Sequence, residues 1–497
     1  MPMKRFLPGI LLCLLLFLTA CGKTAAPSEQ TNTPLPVIES PAPTPMVVPP
    51  TPEPVIVTLH RSDGTALELP EEASEVSLDD TALFDGLISA SVILKDIRQI
   101  TLADGLGFTS EDVNALQTAY PEADILYHVI INGREIDRSF TVLDLSDLTS
   151  PYAADAAREL KKLPVLERVT FTSLGSFTQD PERIAESKSG MVFPNVLTPD
   201  DIYLLKSARP DVVFDCPFLL YGKKVSTADE RLEYVETNIS DEGVDSVLRL
   251  ILPAMGELKY LKLDKCEVSS PVMARLREDY PDIKIVWRVY FSSYGETADG
   301  TMAVYNCLTD TEKIWATGCV TDNFAKELQY CTDVKYLDLG HNCITNIEFC
   351  RYMPKLEVAV LSVSWVESLE PLAFCPNLEY LECFSSHVTD ISPLAACTNL
   401  RYLNISNLPS VKDITPLYGL DLTRFYCTMS HIPADQQAEY QARHPECDCE
   451  FGWVDPSKGY WRFLDGNYMN TDPSNRNERY ALLFEQFGYD STANQSK

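Results

Sequence analysis

Apolar residues in the last third of the chain recur with a period of 22 positions. Each unit opens with the order apolar-x-x-apolar-x-apolar, as in the Val-Lys-Tyr-Leu-Asp-Leu segment at 334–339. The same opening begins at Val334, Leu356, Leu378, Leu400 and Leu422. This order predicts a short strand with one buried face. Its recurrence predicts a repeat array, in which each unit buries its apolar face only by stacking on its neighbours.

The second half of each unit is also apolar at fixed places. The residues concerned are Ile344 and Ile347, then Val366, Leu369 and Leu372, then Val388, Ile391 and Leu394, then Val411, Ile414 and Leu417. Parallel strands need a crossover connection, and this half of the unit supplies one. The turn before each strand holds Cys331, Met353, Cys375, Cys397 and Gly419. We interpret the three cysteines as small buried hydrophobic residues.

These units resemble the leucine-rich repeat, in the short 22-residue form of internalin-like bacterial surface proteins. The first unit has Asn342 at the asparagine position of that family, whereas Ser364, Ser386 and Ser430 stand there in later units. The resemblance implies an α/β fold: a leucine-rich-repeat solenoid with a parallel sheet over 331–450. It also implies an incomplete asparagine ladder in which serines are shorter substitutes.

In a leucine-rich repeat, the residues between the strand leucines face the concave surface, so the resemblance places a ligand there. Tyrosine and arginine are enriched at binding hot spots, and here they align across successive strands. The alternative is that the tyrosines only pack against one another across the sheet. The candidate ligand-binding residues are Tyr336, Tyr380, Glu382, Phe384, Tyr402, Asn404, Arg424 and Tyr426.

The strand pattern also occurs upstream, without regular spacing, for example at 97–102, 166–171 and 258–263. A second pattern accompanies it, in which an amphipathic helix is ended by proline and followed by an apolar strand. These helices are predicted at 112–120, 201–209 and 272–280, with a weaker copy at 436–444. We interpret 56–330 as irregular, insertion-bearing α/β repeats. Two unrelated α/β domains are the alternative.

The N-terminus has the order of an export signal: Lys4 and Arg5, an apolar run from Phe6 to Leu18, then small residues. The Leu-Thr-Ala-Cys segment at 18–21 resembles a bacterial lipobox. That resemblance implies a signal peptide at 1–20 and a lipid, carrying acyl chains such as palmitate, on Cys21. An uncleaved anchor is the alternative, but the apolar run is shorter than the ~20 residues that a spanning helix needs.

Residues 21–55 are rich in Pro, Thr, Ser and Ala. Proline fixes φ and removes the amide donor, so this composition predicts an extended tether, which could reach up to roughly 100 Å. A merely disordered terminus would have nearly the same composition. A tether after a lipidated cysteine predicts a cell-membrane location, lipid-anchored on the extracytoplasmic face.

The formal net charge is −31, which argues against partners that need a basic face, such as nucleic acid or anionic lipid. Contact with the membrane is therefore expected only through the lipid on Cys21. Cys447 and Cys449 lack a second Cys/His pair nearby, and His387 and His431 lie two repeats apart. We predict no metal site and no cofactor.

The last segment, 451–497, is rich in aromatic residues, among them Trp453, Trp461, Phe463 and Tyr480. The end of a solenoid exposes an apolar face that must be covered, so we interpret this segment as a C-terminal cap. An aromatic platform for a ligand is the alternative interpretation.

The chain contains no nucleophile elbow, His-Glu-x-x-His segment, phosphate-binding loop or dinucleotide-binding glycine motif. We therefore predict a non-enzymatic surface lipoprotein, of a Gram-positive bacterium, that binds a protein or glycan ligand on its concave face. An envelope scaffold or assembly protein is the first alternative. An exported enzyme with its site in 56–330 is a weaker one.

Overall fold

The computed structural model describes residues 55–178, 196–293, 295–296, 302–453, 460–464 and 472–488. The predicted signal peptide at 1–20, Cys21 and all but the last residue of the predicted tether lie outside these residues. Every described residue belongs to one compact unit, Val55–Lys497. No described helix is both long enough and apolar enough to cross a membrane.

Nineteen described strands precede the regular repeats. They are β1 (Ile56–His60), β2 (Ala66–Pro70), β3 (Glu75–Leu78), β4 (Gln99–Leu102), β5 (Asp124–Leu126), β6 (Ile130–Ile131), β7 (Arg134–Glu135), β8 (Val142–Asp144), β9 (Arg168–Thr170), β10 (Ser176–Phe177), β11 (Val213–Asp215), β12 (Pro217–Leu220), β13 (Lys223–Ser226), β14 (Arg231–Val235), β15 (Tyr260–Asp264), β16 (Lys284–Tyr290), β17 (Gly295–Glu296), β18 (Met302–Ala303) and β19 (Asn306–Leu308). The strands predicted at 97–102, 166–171 and 258–263 are thus confirmed as β4, β9 and β15.

Parallel strands in this region form three three-stranded sets, β3–β4–β5, β8–β9–β11 and β14–β15–β16, and β10 pairs in parallel with β12 in a fourth sheet. The antiparallel strand β19 extends the third sheet. Hairpins β6–β7 and β12–β13 follow the first two sheets. Their two-residue turns, Asn132-Gly133 and Tyr221-Gly222, have positive φ at both residues, which matches the twist of a hairpin.

The predicted helix–proline–strand units are confirmed, and each helix begins two residues earlier than predicted. The helices are Ser110–Ala119, Pro199–Ala208, Ser270–Asp279 and Ala434–Arg443. Thr109 and Thr198 set the first two starts, because each accepts a backbone N–H three residues on, from Asp112 and Asp201. The apolar run at 125–131 differs from prediction, since it divides into β5 and β6.

The remaining helical segments are mostly shorter. The other α-helical segments are Leu83–Ser89, Ala153–Leu160, Ser240–Gly243, Arg249–Ile251, Asp322–Ala325 and Glu478–Phe487, and Val244–Leu248 is a π-helical turn. Short 3₁₀ turns lie at Ser150–Tyr152, Leu252–Ala254 and Pro473–Asn475.

The regular repeats form one parallel sheet of seven strands. These are β20 (Lys313–Trp315), β21 (Tyr336–Asp338), β22 (Val358–Val360), β23 (Tyr380–Glu382), β24 (Tyr402–Asn404), β25 (Arg424–Thr428) and β26 (Asp448–Gly452). From β21 to β25 each residue pairs with the one 22 positions later, as Tyr380 does with Tyr402. The sequence period therefore becomes the sheet register, and the α/β leucine-rich-repeat fold with a parallel sheet is confirmed.

The crossovers between these strands are mostly single 3₁₀ turns. They span Lys326–Tyr330, Glu348–Tyr352, Glu370–Phe374, Ser392–Ala396 and Thr415–Leu417. Pro371, Pro393 and Pro416 lie in the first turn, where the missing N–H and the fixed φ cost little.

One apolar core runs beneath all of these sheets. The central residues of the strands point into it, and Leu337, Leu381 and Leu403 are fully buried. The same cluster extends from Leu59 to Tyr440. The irregular and regular regions share a core in the part of the chain that the structure describes.

A polar ladder lies inside the turns that follow the strands. The Asn342 amide donates to the carbonyl of Ala316 at 2.9 Å and to that of Leu339 at 3.0 Å, and its oxygen accepts the Val320 N–H at 3.0 Å. In the next repeat the Ser364 hydroxyl donates to the Leu339 carbonyl at 3.2 Å and accepts the Asn342 N–H at 3.5 Å, two bonds where Asn342 makes more. Serine is therefore a shorter substitute for asparagine, as expected.

One position per repeat adopts the left-handed conformation although it is not glycine. These residues are His341, Val363, Ser385, Asn407 and Met429, with φ between 53° and 60°. The conformation lets each N–H donate across to the next repeat, as Val363 does to the Phe384 carbonyl at 2.9 Å. A β-branched residue is strained there, so Val363 is the least suited of the five.

Candidate functional site

The structure brings all eight candidate ligand-binding residues together on the face of the seven-stranded sheet that is turned away from the apolar core, which the repeat resemblance predicts to be the concave face. Strand pairing places Tyr336, Val358, Tyr380, Tyr402 and Arg424 in one column across the strands. A second column contains Asp338, Val360, Glu382, Asn404 and Tyr426. Phe384 lies just after β23, close to Asn404 and Tyr426. The juxtaposition follows directly from the 22-residue register.

The C-terminal segment covers much of this face. We use "tail" for its described residues, 460–464 and 472–488. Trp461, Tyr480, Leu483 and Phe487 of the tail form an apolar cluster with side chains of both columns, chiefly Val358, Val360, Tyr380 and Tyr426. The predicted cap over the end of the solenoid is therefore corrected: the tail lies along the concave sheet face. There the aromatic rings of the tail pack against apolar and aromatic side chains of the strands.

The expectation of an exposed aromatic stripe is corrected as well. Tyr380 and Tyr426 are only 2% and 3% exposed, and Glu382 is completely buried. Asn404 is also buried, whereas Tyr336, Phe384, Tyr402 and Arg424 remain half-buried. Only part of the predicted ligand surface is therefore accessible when the tail is in place.

An ion pair between half-buried Arg462 and the fully buried Glu382 carboxylate fixes the tail on the sheet. Arg462 contacts both carboxylate oxygens of Glu382, and its Nε donates to Oε1 at 3.1 Å. The Trp461 indole N–H donates to the same Oε1 at 2.7 Å, and the Tyr380 hydroxyl also donates to it. Because the carboxylate is buried, removing its cationic partner would leave an uncompensated charge.

The pKa values around this ion pair follow from burial and charge. Burial raises the pKa of Tyr380 well above its usual value, and the negative charge of Glu382 adds to the effect. Burial acts to lower the pKa of Arg462, but the attraction of Glu382 outweighs it and raises that pKa well above its usual value. The phenol is therefore neutral and the guanidinium charged at neutral pH.

Aromatic rings enclose the Trp461 indole from two sides. Its ring centroid lies 5.6 Å from that of Tyr380 and 5.3 Å from that of Tyr426. Arg424 lies over Tyr426 at 4.8 Å, and its guanidinium donates to the Tyr426 hydroxyl at 2.7 Å and to the Tyr460 carbonyl at 3.1 Å. Tyrosines of the sheet thus hold one indole in place.

The helix Glu478–Phe487 covers the first strands of the same face. The Asn477 side chain caps its start by accepting the Tyr480 N–H at 2.9 Å, and Gly488 ends it with φ of 66°. Phe487 packs edge-on against Tyr336 with centroids 6.3 Å apart. The Lys313 ammonium donates to the Gln486 carbonyl at 3.2 Å. The C-terminal end of the helix is therefore attached to the first two strands of the sheet.

A cavity of about 340 Å³ lies between the sheet and the tail. Phe384 and Tyr426 line it from the repeats, and Trp461 and Phe463 line it from the tail. Sequence reasoning missed this cavity because it depends on two segments about 80 residues apart. The only available signal was the high aromatic content of 451–497.

Three buried cysteines of the repeats, Cys375, Cys383 and Cys397, are unsuited to nucleophilic chemistry. Burial raises the pKa of Cys375 and Cys383 to about 12 and that of Cys397 to about 11, so their thiols stay protonated at neutral pH. Cys331, Cys375 and Cys397 are buried as the interpretation of small core residues required. Across the residues with described positions, no group of three His, Cys, Asp or Glu side chains is placed to hold a metal ion.

Comparison with known proteins supports the repeat assignment. Residues 376–419 match the family model for Leucine Rich repeats (2 copies). Internalin C2 of Listeria monocytogenes is similar, with 18% identity over 56% of this chain and 85% of that chain and a TM-score of 0.23. A leucine-rich-repeat protein of Leptospira interrogans shows 12% identity over 77% of this chain and 94% of that chain, with a TM-score of 0.28.

No curated protein matches this chain. The family match and the strand register agree on the same unit, since β23 and β24 fall within 376–419 and β21, β22 and β25 repeat it on either side. Leucine-rich repeats are thus present at 376–419, within a parallel sheet built on their 22-residue period.

Proposed function

We propose that this protein is a lipid-anchored protein of the extracytoplasmic face of the cell membrane, which binds a protein ligand through the concave face of its repeats. Leucine-rich repeats generally mediate protein binding, and the family match supports this part of the proposal. The lipobox-like segment at 18–21 and the proline-rich 21–55 support the anchor. Binding of a glycan, or a scaffold role in the envelope, is tested by the same experiments.

One observation carries the proposal: the concave face already binds a polypeptide segment. The tail inserts Trp461 between Tyr380 and Tyr426 and places Arg462 on the buried carboxylate of Glu382. These are the contacts that dominate protein interfaces, namely an aromatic anchor in a tyrosine-lined site beside a desolvated charge pair. The surface is therefore chemically suited to hold peptide groups.

The tail also determines how this surface must be tested. Substitution of Tyr380, Tyr402 and Arg424 together would remove contacts that hold the tail, because all three touch it or its neighbours. Phe384 is a better probe, since it lies at the half-buried part of the face. Arg443→Ala is a matched control, because Arg443 forms an exposed ion pair with Glu439 away from this face.

The test is capture of surface proteins, and a glycan array, with soluble 22–497 and three variants. We expect saturable binding of a protein that Phe384→Ala weakens by roughly tenfold and Arg443→Ala leaves unchanged. Circular dichroism and thermal unfolding must show that each variant remains folded. Binding to glycans alone, or binding that Phe384→Ala and Arg462→Ala both leave unchanged, would overturn the concave-face proposal.

The anchor is tested separately in the full chain. We expect metabolic labelling with palmitate and membrane fractionation to show a labelled, membrane-bound protein. Cys21→Ser should lose the label and the processing of the signal peptide, whereas Cys13→Ser should keep both. A Cys21→Ser protein with unchanged labelling would disprove the lipidation site.

A further inference from the structure

We infer that the cavity between Phe384, Tyr426, Trp461 and Phe463 receives an uncharged aromatic side chain of the protein ligand. This inference rests on the proposed function and adds to it the chemical class of group that the ligand presents. It treats the tail as half of the binding site, since two of these four rings belong to the repeats and two to the tail.

The size and walls of the cavity favour a flat apolar group. Its volume of about 340 Å³ lies at the lower end of the ~300–1,000 Å³ typical of ligand pockets. Aromatic rings bound it from both sides. Offset or edge-on packing between rings adds about 0.5–1.5 kcal/mol to the burial of an aromatic group. An aromatic side chain therefore gains more from these walls than an aliphatic one.

The charges of the walls exclude an ionic occupant. Arg462 is the cationic residue among the lining side chains, and its guanidinium is already paired with Glu382. The polar groups at the base are also engaged: the Asn404 oxygen accepts the Ser406 N–H at 3.0 Å, and the Ser406 hydroxyl accepts the Thr428 N–H at 3.1 Å. Burial of an unpaired charge against these walls would be unfavourable.

The cavity is continuous with an interface that already holds an aromatic group. The Trp461 indole, which packs between Tyr380 and Tyr426, is itself one wall of the cavity. The Phe463 ring, the other wall from the tail, packs against Tyr480 at a centroid distance of 5.5 Å. An aromatic side chain of a ligand would extend this row of rings by one member.

A consequence distinguishes this arrangement from simple competition with the tail. If the ligand only displaced the tail, releasing the tail would strengthen binding. If the tail forms half of the site, releasing it removes two walls, and binding must weaken. Arg462→Ala releases the tail by removing the cation that faces the buried Glu382.

The test is calorimetric titration of soluble 22–497 with N-acetyl-tryptophanamide, compared with N-acetyl-leucinamide and glucose. We expect saturable binding of the tryptophan probe alone, weakened roughly tenfold by Phe384→Ala and abolished by Arg462→Ala. Trp365→Ala is the matched control, because Trp365 is an exposed aromatic residue that packs on His387, outside the cavity. It should bind the probe like the unaltered protein.

Three results would overturn the inference: no saturable binding of the tryptophan probe, equal binding of the leucine probe, or unchanged binding in Phe384→Ala. Hydrogen exchange of residues 472–488 shows independently whether Arg462→Ala has released the tail. If the tryptophan probe does not bind while a protein ligand is still captured on the concave face, the inference about the cavity is wrong and the proposed function stands. If capture fails in every arm while the probe binds, the proposed function is wrong, and the cavity is a site for a small aromatic group that is not part of a protein ligand.

Discussion

The irregular region from β3 to β16 and the regular repeats from β20 to β26 are built from the same short parallel strand, yet they assemble differently. The irregular region stops each parallel sheet after three strands, whereas the regular repeats continue through seven. The crossover connections between strands also differ between the two regions. Full α-helices such as Ser110–Ala119 and Ser270–Asp279 connect strands of the former, and mostly 3₁₀ turns connect strands of the latter.

The width of the crossover explains this difference. Neighbouring strands lie ~4.8 Å apart, whereas an α-helix with its side chains is ~10–12 Å across. Stacked helices therefore outgrow the strands that they connect, and the sheet must curve or stop. The narrower 3₁₀ turn lets strand after strand be added in register. Four predictions test this comparison of the two regions, from the largest expected effect to the smallest.

Leu403→Ala in β24 and Leu261→Ala in β15 remove the same buried group from the two regions. Each should cost about 2–5 kcal/mol of unfolding free energy, because a cavity is left in a tightly packed core. In the continuous sheet we expect faster hydrogen exchange to spread over several repeats, since each depends on its neighbours. For Leu261→Ala we expect the faster hydrogen exchange to stay within residues 231–290. Equal spreading in both variants would contradict the contrast.

Arg209→Ala tests a feature that the two regions share. In three of the four helix–proline–strand units, the residue before proline lies within hydrogen-bond distance of a carbonyl near the end of the preceding crossover. Arg209 donates to Leu160 at 2.8 Å, the Tyr120 hydroxyl donates to Leu87 at 2.7 Å, and a His444 ring nitrogen lies 3.1 Å from the Tyr418 carbonyl.

Arg209 also donates to the Leu163 carbonyl at 2.7 Å. Loss of its side chain therefore leaves two buried carbonyl oxygens, those of Leu160 and Leu163, without this donor. We expect Arg209→Ala to lower the unfolding free energy by about 2–3 kcal/mol and Tyr120→Phe by about 1–2 kcal/mol, measured by urea denaturation. The exposed Arg443→Ala should change it by less than about 0.5 kcal/mol. Equal effects of Arg209→Ala and Arg443→Ala would refute the role of the position before proline.

Val363→Gly addresses the left-handed position of the regular repeats. The left-handed conformation costs an L-residue about 1–2 kcal/mol, and glycine loses about 0.5–1 kcal/mol more entropy on folding. We expect a net stabilisation of up to about 1 kcal/mol in thermal unfolding. Asn407→Gly should give no gain, because asparagine tolerates this conformation and the Asn407 amide donates to Ser385 at 3.0 Å. Destabilisation by Val363→Gly would show that the position is not strained.

The smallest effect concerns pH dependence in the irregular region. A hydrogen bond and the charge of Glu135 raise the pKa of His128 above its usual 6.5. Since folding raises this pKa, the ion pair contributes to folding stability below about pH 6.5. That contribution is lost as the pH rises through the pKa of His128 in the folded protein. Nuclear magnetic resonance titration should show a lower His128 pKa in Glu135→Gln. An unchanged value would mean that the ion pair does not form in solution.

Local order in the sequence was enough to predict much of the fold. The 22-residue period determined the register of β21–β25, because identical units can stack in only one alignment. The prolines at 121, 210 and 281 determined where the helices end, because the residue before proline disfavours the α conformation. The same period brought Tyr380, Tyr402 and Arg424 into one column. These features depend on residues within one unit or its immediate neighbour.

Only the tertiary structure determined which side chains of that column are buried and by which segment. No local pattern links Glu382 to Arg462, 80 residues later, or indicates that the tail lies along the sheet instead of over its end. The pairing arises because a carboxylate on an apolar face becomes stable only when a cation covers it, and the tail supplies one together with its aromatic rings. The strand column was therefore determined by sequence, while its burial and the cavity were determined by long-range packing.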